Sequence, residues 1–336
     1  MTTENAEHLR LRLKGFGFSS SAIEAAWPRW WSEEAEASIS ARADLRFSLA
    51  RNLGLDPRSL LADNQEPSFV WRGQARFKHL STEDELERDA IASFGRALGT
   101  LLVQATPEQA PLPEMSGSGL RELILRQPAP YVRLSDLLAL SWSLGIPVIH
   151  LTVFPWPQKR MAAMTVRIGD RYAVLLAKDS MYPAPIAFYL AHELGHVALS
   201  HLTGDVVVVD FEDVTPSLAG DDPEEGAADR FALELLTGEP QPRVVPATSH
   251  SIASELARVA INSAGDLRIE PGTIALLYGY STKRWKTANA AMKNIYTSAK
   301  PVWSEVNGVA RQQLAFEQLP GDSVDYVEAV LGPRAL

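Results

Sequence analysis

The sequence predicts an α+β fold that is mostly helical, with a small β-sheet packed on one central helix and helical regions on either side. Three observations carry this. Most of the chain places apolar residues at helical spacing between recognisable caps and breakers. One stretch, 165–177, alternates around Gly169-Asp170 and reads as a β-hairpin. A long apolar helical pattern, 186–202, follows it. The 336 residues correspond to two or three domains of ordinary size. Apolar residues make up 46% and charged residues 22%, so a substantial core forms without cross-links.

Residues 1–63 read as short helices. One starts over Leu9 to Leu13. Ser19-Ser20-Ser21 caps a second that runs to Ala26, before Pro28. Ser40 caps a third that ends at Gly54, and Asp56-Pro57 opens another turn. The cluster Trp27-Pro28-Arg29-Trp30-Trp31 reads first as core material. Residues 64–81 show no clear period. A helix over 82–105 carries Leu86, Ile91, Phe94, Leu98 and Leu101 at helical spacing, capped by Ser81 or Thr82. Thr106–Gly119 is rich in Pro, Gly and Ser and is the best linker candidate. Ser135–Leu144 reads as a helix with a Ser cap and a Gly145 stop. Val148–Phe154 and Val206–Phe211 read as strands. Pro183 and Pro185 precede the long helix of 186–202. A further helix runs from Glu224 to Leu236 and stops at Gly238. The last hundred residues are mostly helical.

The composition excludes several function classes. There is no cysteine, so disulfide scaffolds, thiolate metal sites and cysteine nucleophiles are out. Any metal must be held by His, Asp, Glu or water. The net charge of −9 argues against a binder dominated by phosphate contacts. No stretch approaches the ~18 apolar residues of a membrane helix, and the first residues lack an apolar core behind a basic start. A cytoplasmic location with no membrane partner is the expectation.

The chemistry is carried by His192-Glu193-Leu194-Gly195-His196, an H-E-x-x-H motif inside the long helical pattern. Positions i and i+4 lie on one helical face, one turn apart, so both imidazoles reach one Zn2+. Glu193 sits beside the first ligand, displaced round the helix. It points at the open coordination position, where a carboxylate serves as general base towards an activated water. Ile186, Leu190, Leu194 and Val197 supply an apolar side that buries the helix. A third ligand follows downstream. Glu225 and Asp229 lie four apart, hence on one helical face. Glu225 completes a His–His–Glu set, and Asp229 accepts the far ring N–H of a ligating His. Gly226, Ala227 and Ala228 let the two helices approach closely. His201 lies five residues after His196, which on a continuous helix turns it off the ligand face. It reads as a helix-end residue favoured by the dipole. His8, His79, His150 and His250 have no motif around them.

HELGH followed by E-x-x-A-D-x-F-A-x-x-L-L, Glu225 to Leu236, resembles the ImmA/IrrE-type metallopeptidase family, compact relatives of the thermolysin-like zincins. The similar stretch begins near Leu134-Ser135-Asp136, includes Leu144–Val148 and runs to about Leu236, roughly a third of the chain. The resemblance implies a minimal zincin-like core with His192, His196 and Glu225 as zinc ligands and Glu193 as base. Family members often carry Asn at the position of Asp229. The implied organisation is a helical module at 1–63, a helical segment and linker at 64–118, a metallopeptidase core at 119–240, and a helical region at 241–336. The acidic run of Asp205, Asp210, Glu212, Asp213, Asp221, Asp222 and Glu224 holds no Lys or Arg, and reads as a solvated insertion rather than a selector of basic substrates.

The resemblance implies a cytosolic zinc endopeptidase that cuts a helix-turn-helix repressor or antitoxin in response to stress, phage or mobile elements. Its oxyanion or substrate contacts are sought among Tyr278, Tyr280 and His250, by residue type alone. The hairpin of 165–177 is expected to offer an edge for an extended substrate. The alternative is a toxin-like or regulatory binding partner of a repressor, in which the zinc domain is a docking surface. Residues 43–61 weakly resemble the closing part of XRE-type helix-turn-helix repressors. Direct DNA binding through residues 1–63 is disfavoured by their eight Lys/Arg against nine Asp/Glu.

Overall fold

The computed structural model describes residues 4–62, 65–71, 75–78, 85–109, 116–155, 161–202, 207–211, 222–242 and 252–334. The expected Ser81/Thr82 cap, the middle of the expected linker at 110–115, His79, His250 and most of the acidic run lie outside these residues.

Five short helices open the chain: α1 (Ala6–Gly15), α2 (Ser20–Ala26), α3 (Glu33–Glu36), α4 (Ile39–Leu53) and α5 (Pro57–Leu61). Ser19 caps α2 by accepting the Ala22 N–H at 3.0 Å. Asp56 caps α5, with Pro57 in its first turn. Helix α4 starts two residues earlier than its expected Ser40 cap, because Ser38 accepts from Ala41. It ends at Gly54, which is left-handed at φ +73° and lies so close to the Ser93 backbone that a Cβ there would meet the carbonyl oxygen at 2.4 Å. Trp27 is buried and Trp31 packs against the same core, while Trp30 is exposed. The polar side chains of α4 are engaged within the chain. Arg46 is buried and donates to the Leu60 carbonyl at 3.0 Å, and Ser48 and Arg51 both donate to Asp322.

The middle of the chain alternates: β1 (Ala75–Lys78), α6 (Glu85–Gln104), α7 (Gly117–Leu125), α8 (Leu134–Ser143), β2 (Val148–His150), β3 (Met161–Ile168), β4 (Arg171–Leu176), α9 (Pro183–Ala198), β5 (Val207–Phe211) and α10 (Pro223–Thr237). The expected hairpin is present as β3 and β4, paired antiparallel from Ala163↔Leu176 to Ile168↔Arg171 around Gly169-Asp170. The sheet order is β1-β5-β3-β4-β2, with β1 parallel to β5 and β2 parallel to β4. This overturns the expectation that the hairpin presents an edge. Both of its strands have neighbours on both sides, and the backbone over 163–166 and 174–176 is paired on both. Strand β1 was not visible in the sequence: four residues are too few for a period to emerge. Two further boundaries differ from expectation. Strand β2 stops at His150, and α8 is capped by Arg133 and Asp136 rather than by Ser135. Asp136 accepts the Arg133 N–H at 2.9 Å and its guanidinium at 3.0 Å.

The sheet is the middle of three layers. Met164, Val166 and Leu175 face α6 and join a core that also gathers Leu9, Leu49 and Tyr326. Ala163, Val174 and Leu176 face the other way, into a core with Leu138, Ile186, Leu190 and Leu235. Successive residues of β3 thus serve opposite layers, as a two-residue period requires. The α6 layer comes close because Gly95 and Gly99 sit over Met164 and Val166.

The remaining helices are α11 (Ala253–Leu267), α12 (Pro271–Thr282), α13 (Trp285–Ile295), α14 (Val302–Gln313) and α15 (Gly321–Leu331). Helices α11 to α13 form a third small core around Ala184, Leu256, Tyr278 and Met292. Helix α14 closes the β2 side of the sheet. Asn307 accepts the His150 N–H at 2.7 Å and donates to the His150 and Leu331 carbonyls at 2.8 and 2.9 Å. One side-chain amide stands in for the missing neighbouring strand. No helix among the described residues is long and apolar enough to cross a membrane.

Asn307→Ala leaves both backbone groups of His150 without this partner in a site closed to solvent. The expected outcome is a loss of about 1–3 kcal/mol of unfolding free energy, read from a urea titration.

Candidate metal centre

Helix α9 begins at Pro183, three residues before the apolar pattern. Both Pro183 and Pro185 fall in its first turn, where the missing N–H groups have no intrahelical acceptor to serve. Ile186, Leu190, Leu194 and Val197 bury one side of the helix against the sheet and α8. The other side meets α10. Gly195 is the contact point: a Cβ there would lie 3.1 Å from the Ala228 Cα and 3.2 Å from the Phe231 ring. Of the small residues expected to permit this approach, Ala228 makes it and Gly226 does not. A Cβ on Gly226 meets the Arg230 side chain of its own helix.

The approach brings three side chains together. The Nε2 atoms of His192 and His196 are 3.1 Å apart. Glu225 places Oε2 3.3 Å from His192 Nε2 and Oε1 3.4 Å from His196 Nε2. All three residues are buried, and one ligand atom from each lies within 4.8 Å of the others. Tetrahedral zinc with bonds of about 2.0–2.1 Å has ligand–ligand edges of about 3.3 Å. The imidazole–imidazole separation and the distance from each imidazole to one of the two Glu225 oxygens are close to these edges, and two nitrogens with one carboxylate are a zinc donor set. The residues present therefore fit the ion. A carboxylate this deeply buried also calls for a compensating cation, which the fit supplies.

The groups behind the cluster orient it. Asp229, one turn along α10 from Glu225, places Oδ1 2.9 Å from His192 Nδ1. A carboxylate accepts, so the Nδ1 proton is held there and Nε2 turns its lone pair to the centre. Glu193 is fully buried and accepts a hydrogen bond from the Thr165 hydroxyl. Thr165 lies in the middle of β3 on the α9 side of the sheet, the same face as Ala163. The sequence places Thr165 on a hairpin, but nothing in its spacing pairs it with a residue 28 positions later. Sequence reasoning turned His201 away from the cluster, and the structure places it against His196. It is beyond the end of α9, and its Nδ1 lies 2.9 Å from His196 Nδ1.

The remaining candidates lie elsewhere. Tyr278 is buried in the α11–α13 core, and Tyr280 contacts Lys283, whose Nζ lies 4.7 Å from its ring centre. A cavity of about 230 Å³ opens at the N-terminal end of α9, lined among others by Tyr131, Arg133, Ala187, Glu270 and Tyr296. It includes none of the His–His–Glu residues. Burial and the neighbouring Glu270 carboxylate push the Tyr296 phenol well above its usual range, so it stays a donor to Glu270 at 2.7 Å.

No protein-family model matches this sequence, and no curated protein or solved structure matches it either.

Asp229→Ala removes the acceptor behind His192. Zinc affinity is expected to fall about 10–100-fold in competition with a chromophoric chelator. Asp229→Asn keeps a carbonyl acceptor and is expected to lose less.

Proposed function

We propose that the chain is a zinc-dependent endopeptidase of the ImmA/IrrE type, acting on a regulatory protein of the helix-turn-helix class. The observation that carries the enzymatic reading is the buried convergence of His192, His196 and Glu225, with Glu193 presented by the same helix as the two imidazoles. The substrate class rests on the resemblance of HELGH and of Glu225 to Leu236 to that family. The intramolecular engagement of Arg46, Ser48 and Arg51 supports a docking role for α4 over a phosphate-binding one.

When bound, zinc supplies a Lewis acid that polarises the scissile carbonyl and makes a water acidic enough to lose its proton near neutral pH. His192, His196 and Glu225 would hold it. Glu193 takes the proton from the attacking water and passes it to the departing amine nitrogen. Thr165 holds that carboxylate in place by donating to it, while its burial excludes competing solvent. Asp229 keeps the His192 proton on the far side of the ring, so the near nitrogen is available as a ligand.

The test is a purified chain assayed for zinc and for cleavage of a helix-turn-helix regulator. About one zinc per chain is expected. Glu193→Gln should retain zinc and lose about 10²–10⁴-fold in cleavage rate. Full cleavage by that variant would reject the mechanism. Thr165→Val keeps the shape and removes the donor. It should retain zinc and lower kcat/KM by roughly tenfold or more, the worth of one hydrogen bond to a charged group.

A further inference from the structure

The two ligating imidazoles are supported differently. His192 has the Asp229 carboxylate behind it, whereas His196 has another imidazole, His201, with Nδ1 2.9 Å from Nδ1 and the ring centres 5.1 Å apart. We propose that His201 is the positioning residue of the second ligand: it accepts the Nδ1 proton of His196 and so commits Nε2 of that ring to the metal. This rests on the zinc reading above.

The tautomer follows from the geometry. Nε2 of His196 faces His192 and Glu225, so in a metal complex it carries a lone pair and the proton resides on Nδ1. A proton there requires an acceptor, and Nδ1 of His201 is at hydrogen-bond distance. His201 must therefore present Nδ1 as a lone pair and keep its own proton on Nε2. A neutral imidazole acceptor leaves the charge of the centre unchanged, whereas a second carboxylate behind His196 would add a negative charge to a site already holding Glu225 and Asp229.

The backbone is arranged to make this contact. Five residues along a continuous helix are about 140° around the axis, which would carry His201 away from His196. The helix ends first. The Ser200 N–H donates to the Val197 carbonyl at 3.1 Å and the His201 N–H to the His196 carbonyl at 3.0 Å. Ser200 adopts φ +56° between them. This is a Schellman turn, whose left-handed position is normally glycine. Here a serine adopts it, at a cost in backbone strain. The turn folds His201 back onto the ring of the residue whose carbonyl it caps. The next residue is anchored as well: Arg167 of β3 donates to the Leu202 carbonyl at 2.8 Å. His201 is thus held on both sides by contacts that do not involve its own ring.

That separation makes the proposal testable. His201→Ala keeps the turn, because the turn uses backbone groups only. His201→Asn restores an acceptor, since its Oδ1 is as many bonds from the backbone as Nδ1. The measurement is Zn2+ affinity of the full chain by competition with a chromophoric chelator, beside urea unfolding of the metal-free proteins. His201→Ala is expected to bind zinc about 10–100-fold more weakly, with its metal-free unfolding midpoint unchanged, and His201→Asn to recover most of the loss. Parent-like zinc affinity in His201→Ala overturns the proposal. So does an Asn variant as weak as the Ala variant, which would assign the loss to packing. A parent chain that binds no zinc overturns the metal centre itself, a result distinct from either.

Discussion

The contact of α9 with α10 at Gly195 and Ala228 is the constraint on which the site depends. Neither helix holds the whole His–His–Glu cluster. His192 and His196 share a face of α9, and Glu225 and Asp229 share a face of α10, but the two faces work together only at short interaxial distance. With no side chain on Gly195, the Ala228 backbone and the Phe231 ring come within van der Waals contact of the first helix. A larger residue there would hold α10 away and draw Glu225 out of reach of the two imidazole nitrogens. Packing density and the geometry of the His–His–Glu cluster are therefore one problem in this molecule.

The opposite side of α9 solves a different problem. A helix carrying two histidines and a glutamate in its buried portion needs a large apolar counterpart, and the three-layer arrangement provides it. The sheet lends one face to α6 and the other to α9, so nearly every residue of β3 is buried. Within that apolar surface Thr165 is an exception, placed where it meets Glu193. The sheet thus both supports the helix and orients its acid. The flanking helices protect the sheet: Asn307 of α14 occupies both backbone groups of His150 at the β2 edge, where another strand could otherwise pair.

The buried His150, His192 and His196 show how context sets the role of one residue type. His150 lies with its ring nitrogens 3.1 and 2.9 Å from the Leu151 and Lys178 carbonyls, and its role is to join β2 to the segment after β4. His192 is turned by a carboxylate, His196 by another imidazole. Only the last arrangement required a break in the helix, and the left-handed Ser200 marks where it occurs.

Much of this was legible in the sequence, and for local reasons. Helix starts at Ser19 and Asp56, the stops at Gly54 and Gly238, and the two-residue turn at Gly169-Asp170 are each decided by a few adjacent residues. The sequence also determined the four candidate chemistry-bearing positions on α9 and α10, because i and i+4 share a face on any helix. What only the tertiary structure decided are contacts between residues distant along the chain. The pairing of β1 with β5, the interior position of the hairpin, Thr165 on Glu193 and Asn307 on His150 all join segments with no periodic relation. His201 is the instructive case, since it is close in sequence but its position depends on one residue of positive φ. Periodicity assumes that a helix continues; whether it does is settled by the backbone hydrogen bonds at its end.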